Sequence, residues 1–131
     1  TTTPDNVTAL LQASLAQDAE DWFEVIAAGS MVPKKKPAPD IYFYAMERMG
    51  VSPEECLAFE DSENGLIAAR AAGLKTLVTV SDYTQGHDFT GAALLIDHLG
   101  EPGQPFRVLS GSVNGAEYVD IELLRQLHAD Q

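Results

Sequence analysis

Two short segments carry residue types suited to phosphate and metal chemistry. In the first, the adjacent acids Glu60 and Asp61 follow the apolar run 56–59, which predicts a buried strand of a parallel sheet covered on both faces. Open α/β sheets bind ligands at the carboxyl ends of their strands, and two carboxylates placed there can hold Mg²⁺. A solvated turn is the alternative, because Glu-Asp-Ser is also common turn and cap chemistry.

The second segment is KKKPAPD, residues 34–40. Pro37 confines Lys36 to extended or turn geometry, so the Lys36 side chain is carried on a stiff loop, and Asp40 is placed to cap the next helix. Three consecutive lysines also fit an ordinary solvated basic loop. Because both segments follow predicted strands, we expect their opposite charges to meet at one edge of the sheet and to form a phosphate and Mg²⁺ site.

These segments together resemble the haloacid dehalogenase superfamily of phosphatases and phosphomutases. KPAPD at 36–40, FEDSENG at 59–65 and AARAAG at 68–73 are similar to its third and fourth motifs. Within the superfamily they look most like the β-phosphoglucomutase-like branch, and especially the CbbY-like sugar-bisphosphate phosphatases. The resemblance implies a Rossmann-like three-layer α/β core with a parallel sheet, and Mg²⁺ as cofactor.

The resemblance also implies roles for individual residues. Lys36 would be catalytic, contacting the transferring phosphoryl group and steadying the nucleophile. Glu60 and Asp61 would be the Mg²⁺ ligands, and Ser62 and Asn64 would support their loop.

A threonine or serine hydroxyl that binds the phosphoryl oxygen ends the second motif of the family. Thr1 is the residue that the resemblance selects for this catalytic and phosphate-binding role, with Thr2 beside it. The register is open by one residue, and the motif threonine could also precede the chain.

The first motif of the family, an Asp-x-Asp pair that supplies the nucleophile and the acid/base, has no match in the chain. We therefore expect residues 1–131 to be the C-terminal part of a hydrolase core, inactive alone. Its partner would be the missing N-terminal half, with the first strand and the cap domain, in the same protein or as a separate chain.

The expected activity of the intact enzyme is Mg²⁺-dependent hydrolysis of a small sugar phosphate through an aspartyl-phosphate. The CbbY-like resemblance points to a substrate such as xylulose 1,5-bisphosphate. A sugar phosphomutase and a non-catalytic interaction module remain as alternatives.

Composition narrows the class of partner. The chain has 131 residues, 8 of them basic and 20 acidic, with a formal net charge of −12. This charge argues against nucleic acid and anionic membrane partners, and no apolar run approaches the ~20 residues needed to cross a bilayer. We expect a cytoplasmic protein, or one of the plastid stroma. Cys56, the single cysteine, is predicted to be a reduced core thiol.

Helices and strands are predicted to alternate along the chain. Thr3, Ser62 and Asp120 are predicted helix caps, and glycine should end the helices at 50 and 73. The helix after Thr3 should pack on a sheet through an apolar face. The predicted strands are 22–28, 56–59, 75–80 and 92–96, and residues 100–115 form a long loop or a hairpin-like excursion.

Overall fold

The computed structural model describes residues 3–130, in which four helices accompany one four-stranded sheet. The helices are α1 Pro4–Ser14, α2 Asp40–Met49, α3 Glu63–Ala71 and α4 Ile121–Ala129. The strands are β1 Leu57–Glu60, β2 Lys75–Thr79, β3 Leu94–Ile96 and β4 Val108–Ser110. Single 3₁₀ turns form at Ala19–Trp22, Gly29–Met31 and Pro53–Glu55.

The sheet has the order β1-β2-β3-β4, with β1, β2 and β3 parallel and β4 antiparallel to β3. In this register Phe59 pairs with Leu77, and Leu77 pairs with Leu94. The carboxyl ends of the three parallel strands therefore lie at the same edge of the sheet. The predicted α/β class with a Rossmann-like parallel sheet is confirmed. In the 100–115 region, β4 is the return arm of the hairpin-like excursion.

Side chains alternate along the strands and divide the core into two clusters, one on each face of the sheet. Helix α4 covers one face and helices α2 and α3 cover the other, which gives three layers. The cluster on the α4 face contains Leu77, Leu94, Ile96, Phe106, Leu123 and Leu127. The cluster on the opposite face contains Met46, Ala58, Ala69, Ala72 and Leu74.

The predicted caps are present. The side chains of Thr3, Ser62 and Asp120 each accept a backbone N–H of the first turn of their helices, the last at 2.8 Å from Leu123 N. Gly50 and Gly73 follow α2 and α3 with φ of 69° and 82°, the left-handed conformation that glycine adopts without steric cost.

Two predicted elements differ from the structure. The segment 22–28 is not a strand: Phe23 and Ala28 have extended backbone angles, but the segment pairs with no strand in residues 3–130. The main contacts of helix α1 are with the 3₁₀ turn at Ala19–Trp22 and not with the sheet, and Leu10 and the following Leu15 are exposed. Local pattern predicts an extended or amphipathic segment but not whether a partner covers it.

The strand before the acidic pair also differs from its prediction. It begins at Leu57, so Cys56 precedes it and is half-buried. Within residues 3–130, β1 is at the edge of the sheet and 47% of Phe59 is exposed, so these residues do not cover the strand on both faces. The core cluster on the α4 face takes in Leu57 of β1 but does not extend to Phe59. No helix in the described part of the chain is long and apolar enough to cross a membrane.

Candidate active site

The loop that carries Lys36 is held against the start of α2. Asp40 is the first residue of α2 and not its cap, since no side chain caps this helix. The Asp40 carboxylate instead accepts the backbone N–H of Lys34 at 3.3 Å, which ties the lysine loop to the helix. The Lys36–Pro37 peptide bond is cis.

Glu60 and Asp61 leave β1 in different directions. Glu60 lies on the α2/α3 side of the sheet, and only 6% of its side chain is exposed, whereas Asp61 is exposed at the end of the strand. Ser62 accepts the Gly65 N–H at 3.1 Å, so α3 begins immediately after the acidic pair. Asn64 is exposed in the first turn of α3.

Glu60 is paired with two donors at one oxygen. The Lys36 ammonium forms an ion pair with Glu60 Oε1, and the Tyr42 hydroxyl donates a hydrogen bond to the same oxygen. A buried carboxylate is stable only when it is paired and hydrogen-bonded, and these two groups meet that need. The Lys36 ammonium also lies 5.1 Å from the centre of the Tyr42 ring.

Tyr42 keeps its proton in this setting. Burial is the main reason that the pKa of the phenol is raised well above its usual value, and the hydrogen bond and negative charge of Glu60 raise it further. The Tyr42 hydroxyl is therefore a donor across the physiological pH range.

Glu60 also lies very close to the backbone of α3 at Gly65. A Cβ at position 65 would overlap Oε2 and Cδ of Glu60 and lie 3.0 Å from Oε1. The absence of a side chain at Gly65 thus gives the carboxylate its space.

These groups surround a pocket of about 360 Å³ at the carboxyl edge of the sheet. It is lined by Lys36, Tyr42, Phe59, Glu60, Asp61, Thr79 and Leu99. Lys36 is the only cationic side chain in that lining, and its side chain is 37% exposed, so a ligand can reach it. A pocket that combines one accessible ammonium with an exposed carboxylate can hold a phosphate together with a hard cation.

The structure brings Lys36, Glu60 and Asp61 together at one edge, as predicted, although the segment 22–28 before the lysine loop is not a strand in residues 3–130. The individual roles of the three residues remain predictions. Thr1 and Thr2, the predicted phosphate-binding threonines, lie outside the described residues. The sequence motifs do not select Tyr42, because an aromatic residue in a helix is more often part of the packing. Its position in the first turn of the helix after the lysine loop was the available signal.

A larger cleft, of about 530 Å³, lies between the loop 85–90 and β4 and contains Arg107. It holds none of the predicted site residues. Asp97 in this cleft accepts the Arg107 backbone N–H at 2.7 Å, a contact that joins β3 to the turn before β4. The smaller pocket is the candidate active site because the ammonium and the two acids meet there.

The fold and the pocket define a class: a three-layer α/β protein with an ammonium and two carboxylates around a pocket at the carboxyl edge of its parallel strands. Comparison with known proteins identifies the family within this class. The family model for haloacid dehalogenase-like hydrolases matches residues 2–73. The chain therefore belongs to the haloacid dehalogenase-like hydrolase family.

Named relatives indicate which branch of this family the chain is most similar to. Protein CbbY of Rhodobacter capsulatus is 55% identical over 99 residues, which are 76% of this chain and 44% of that protein. The plasmid-encoded CbbY of Cupriavidus necator is 45% identical over 130 residues, 98% of this chain and 50% of that protein. The chain thus spans about half the length of these relatives.

A solved structure agrees with this placement. The crystal structure of a CbbY mutant from Rhodobacter sphaeroides, in complex with xylulose-(1,5)bisphosphate, superimposes with a TM-score of 0.70 at 48% identity. The match covers 74% of this chain and 43% of that one. The CbbY-like branch predicted from the two motifs is confirmed.

Proposed function

We propose that the protein containing this chain is a Mg²⁺-dependent phosphatase that removes a phosphate group from a small sugar phosphate, specifically xylulose 1,5-bisphosphate. The observation that carries the proposal is the meeting of Lys36, Glu60 and Asp61 around one pocket. The substrate is supported by the identity of the ligand in the CbbY complex. We also propose a cytoplasmic location, with the plastid stroma as the alternative.

The residues at the pocket fit a Mg²⁺ ion in part. Mg²⁺ in phosphate-processing sites is typically bound by one or two carboxylates, with waters and substrate phosphate completing its shell. Asp61 and Glu60 provide two carboxylates, and residues 3–130 contain no group of three or more His, Cys, Asp or Glu that could hold a metal. When bound, the ion would neutralise charge on the phosphoryl oxygens and the attacking carboxylate.

Asp61 is the better placed of the two ligands. Its carboxylate is exposed and has no hydrogen bond or ion pair with any residue from 3 to 130, whereas Glu60 uses Oε1 for Lys36 and Tyr42. In this proposal Asp61 binds the ion directly, and Glu60, whose Oε2 lies against Gly65 of α3, contributes its charge while Oε1 orients Lys36.

Lys36 would bind an oxygen of the phosphoryl group. Phosphoryl transfer is catalysed mainly by positioning and by stabilising charge on the equatorial oxygens, and a fixed ammonium provides both. The pairing with buried Glu60 fixes the ammonium, while its exposed side leaves hydrogens free for the substrate.

The remaining groups of the reaction are proposed to lie outside residues 3–130. The matched relatives are about twice as long as the aligned region. We assign to that additional length the nucleophilic carboxylate that forms the aspartyl-phosphate, and we regard residues 1–131 as the C-terminal part of the hydrolase core. Thr1 or a neighbouring threonine would bind a further phosphoryl oxygen.

The test is phosphate release by the purified full-length protein with xylulose 1,5-bisphosphate, measured with Mg²⁺ and after its removal by EDTA. We expect release that depends on Mg²⁺. Conversion between sugar monophosphate isomers without phosphate release would instead establish a phosphomutase. The absence of both activities would support a binding module.

Asp61→Asn tests the metal assignment. We expect kcat to fall by about 100-fold or more, because the variant loses a charge that acts on the reacting centre. Asp130→Asn is the matched control, since Asp130 follows α4 near the opposite edge of the sheet, where Lys75 at the start of β2 bonds to the His128 carbonyl at 2.7 Å. Equal loss in both variants, or wild-type turnover by Asp61→Asn, would refute the assignment.

A further inference from the structure

Tyr42 makes two contacts within the pocket but has no role in the proposed chemistry. Its hydroxyl donates to Glu60 Oε1, its ring lies 5.1 Å from the Lys36 ammonium, and the same side chain lines the pocket. It thus touches both members of the ion pair at once.

We propose that Tyr42 is a positioning residue that sets the orientation of Glu60 and, through it, the place of the Lys36 ammonium. This inference rests on the proposed phosphatase function, which makes Lys36 the group that binds the phosphoryl oxygen.

The geometry at Glu60 carries the argument. Two donors on Oε1 hold the carboxylate plane in one orientation, whereas a single donor would leave it free to rotate about its last bond. That orientation directs Oε2 toward the backbone of α3, where Gly65 leaves room for it. Removal of the Tyr42 hydroxyl therefore loosens both the carboxylate and the ammonium that it holds.

The face of the Tyr42 ring supplies a second restraint. An ammonium within about 6 Å of a ring centre is attracted to the electron-rich face. Because Lys36 is fixed on two sides, by Glu60 and by the ring, its remaining hydrogens face the open pocket. A phosphoryl oxygen would meet an ammonium that is already oriented, which lowers the barrier to transfer.

The test separates the hydroxyl from the ring. Tyr42→Phe in the full-length protein keeps the ring and removes one hydrogen bond to a charged group. We expect kcat to fall about 10-fold or more, with KM changed less than 3-fold, because the loss is greatest when charge develops in the transition state. Tyr44→Phe is the matched control, since Tyr44 lies on the same helix and its ring faces Arg48 at 5.1 Å.

A second measurement does not depend on activity. In urea unfolding, the midpoint shifts of Tyr42→Phe and Lys36→Met should not add in the double variant, because both residues bond to Glu60 Oε1. Additive shifts, or a kcat for Tyr42→Phe within 2-fold of wild type, would overturn the proposal. If the wild-type protein releases no phosphate but the shifts are non-additive, the phosphatase function fails and the network stands.

Discussion

Replacement of Gly65 by alanine is a direct test of how the site is packed. The new methyl group would occupy the space of the Glu60 carboxylate, overlapping Oε2 and Cδ. The end of a glutamate can usually move aside at little cost. Here it is buried and held by Lys36 and Tyr42, so the movement breaks its hydrogen bonds.

Opposing contributions determine the size of the effect. Alanine in place of glycine favours a helix by up to about 1 kcal/mol, and position 65 lies in the first turn of α3. Overpacking of a filled site typically costs about 1–3 kcal/mol. Weakening a hydrogen bond to a charged group costs a further ~1.5–3 kcal/mol. We therefore expect Gly65→Ala to lower the free energy of unfolding by about 1.5–5 kcal/mol.

The measurement is urea unfolding of the full-length protein followed by far-ultraviolet circular dichroism. Gly86→Ala is the control, because a Cβ at Gly86 would meet nothing within 4 Å. There the substitution should be neutral or stabilising by up to about 1 kcal/mol, through the lower entropy of the unfolded chain.

The same substitution in a protein that lacks the Glu60 carboxylate shows whether packing against that carboxylate causes the loss of stability. In a Glu60→Ala protein the carboxylate is absent, so Gly65→Ala should then be neutral or stabilising. The packing argument is refuted if Gly65→Ala alone unfolds at or above the wild-type urea midpoint, or if its cost persists without the Glu60 side chain.

Two further predictions concern the core and the response to acid. Leu66→Ala should cost about 2–5 kcal/mol of unfolding free energy, because Leu66 is 1% exposed, whereas Ile67→Ala, at a site 47% exposed, should cost much less in the same urea titration. The pKa of Asp97 is lowered mainly by the backbone N–H of Arg107, so its contribution to stability is present above about pH 4 and is lost as pH falls through the folded-state pKa. Asp97→Asn should therefore show a smaller drop in urea midpoint between pH 5 and pH 2.5, and an unchanged drop would count against the contact.

Features that depend on a few consecutive residues could be predicted from the sequence. The caps at Ser62 and Asp120 and the left-handed glycine after α3 follow from local backbone chemistry, and all of them form as expected. The parallel sheet and the place of the acidic pair at its carboxyl edge were also predicted, because the pair directly follows β1. Lys36 does lie at that edge, but the strand at 22–28 from which its place was predicted does not form within residues 3–130.

Features that depend on partners distant in the chain could not be predicted. Phe59 and the segment 22–28 have strand-like sequences, yet Phe59 is half-exposed and the segment pairs with no strand in residues 3–130. Packing and pairing need a neighbour that local pattern does not specify.

The difference between what the sequence determines and what tertiary packing determines is greatest at Glu60. Its sequence position marks it as an acid at a strand end, and that much the sequence alone determined. Only the packing of α2 and α3 against β1 decided that Tyr42 and Lys36 share one of its oxygens while Gly65 makes room for the other. The physical reason is that a buried carboxylate is oriented by whichever donors the tertiary structure brings to it.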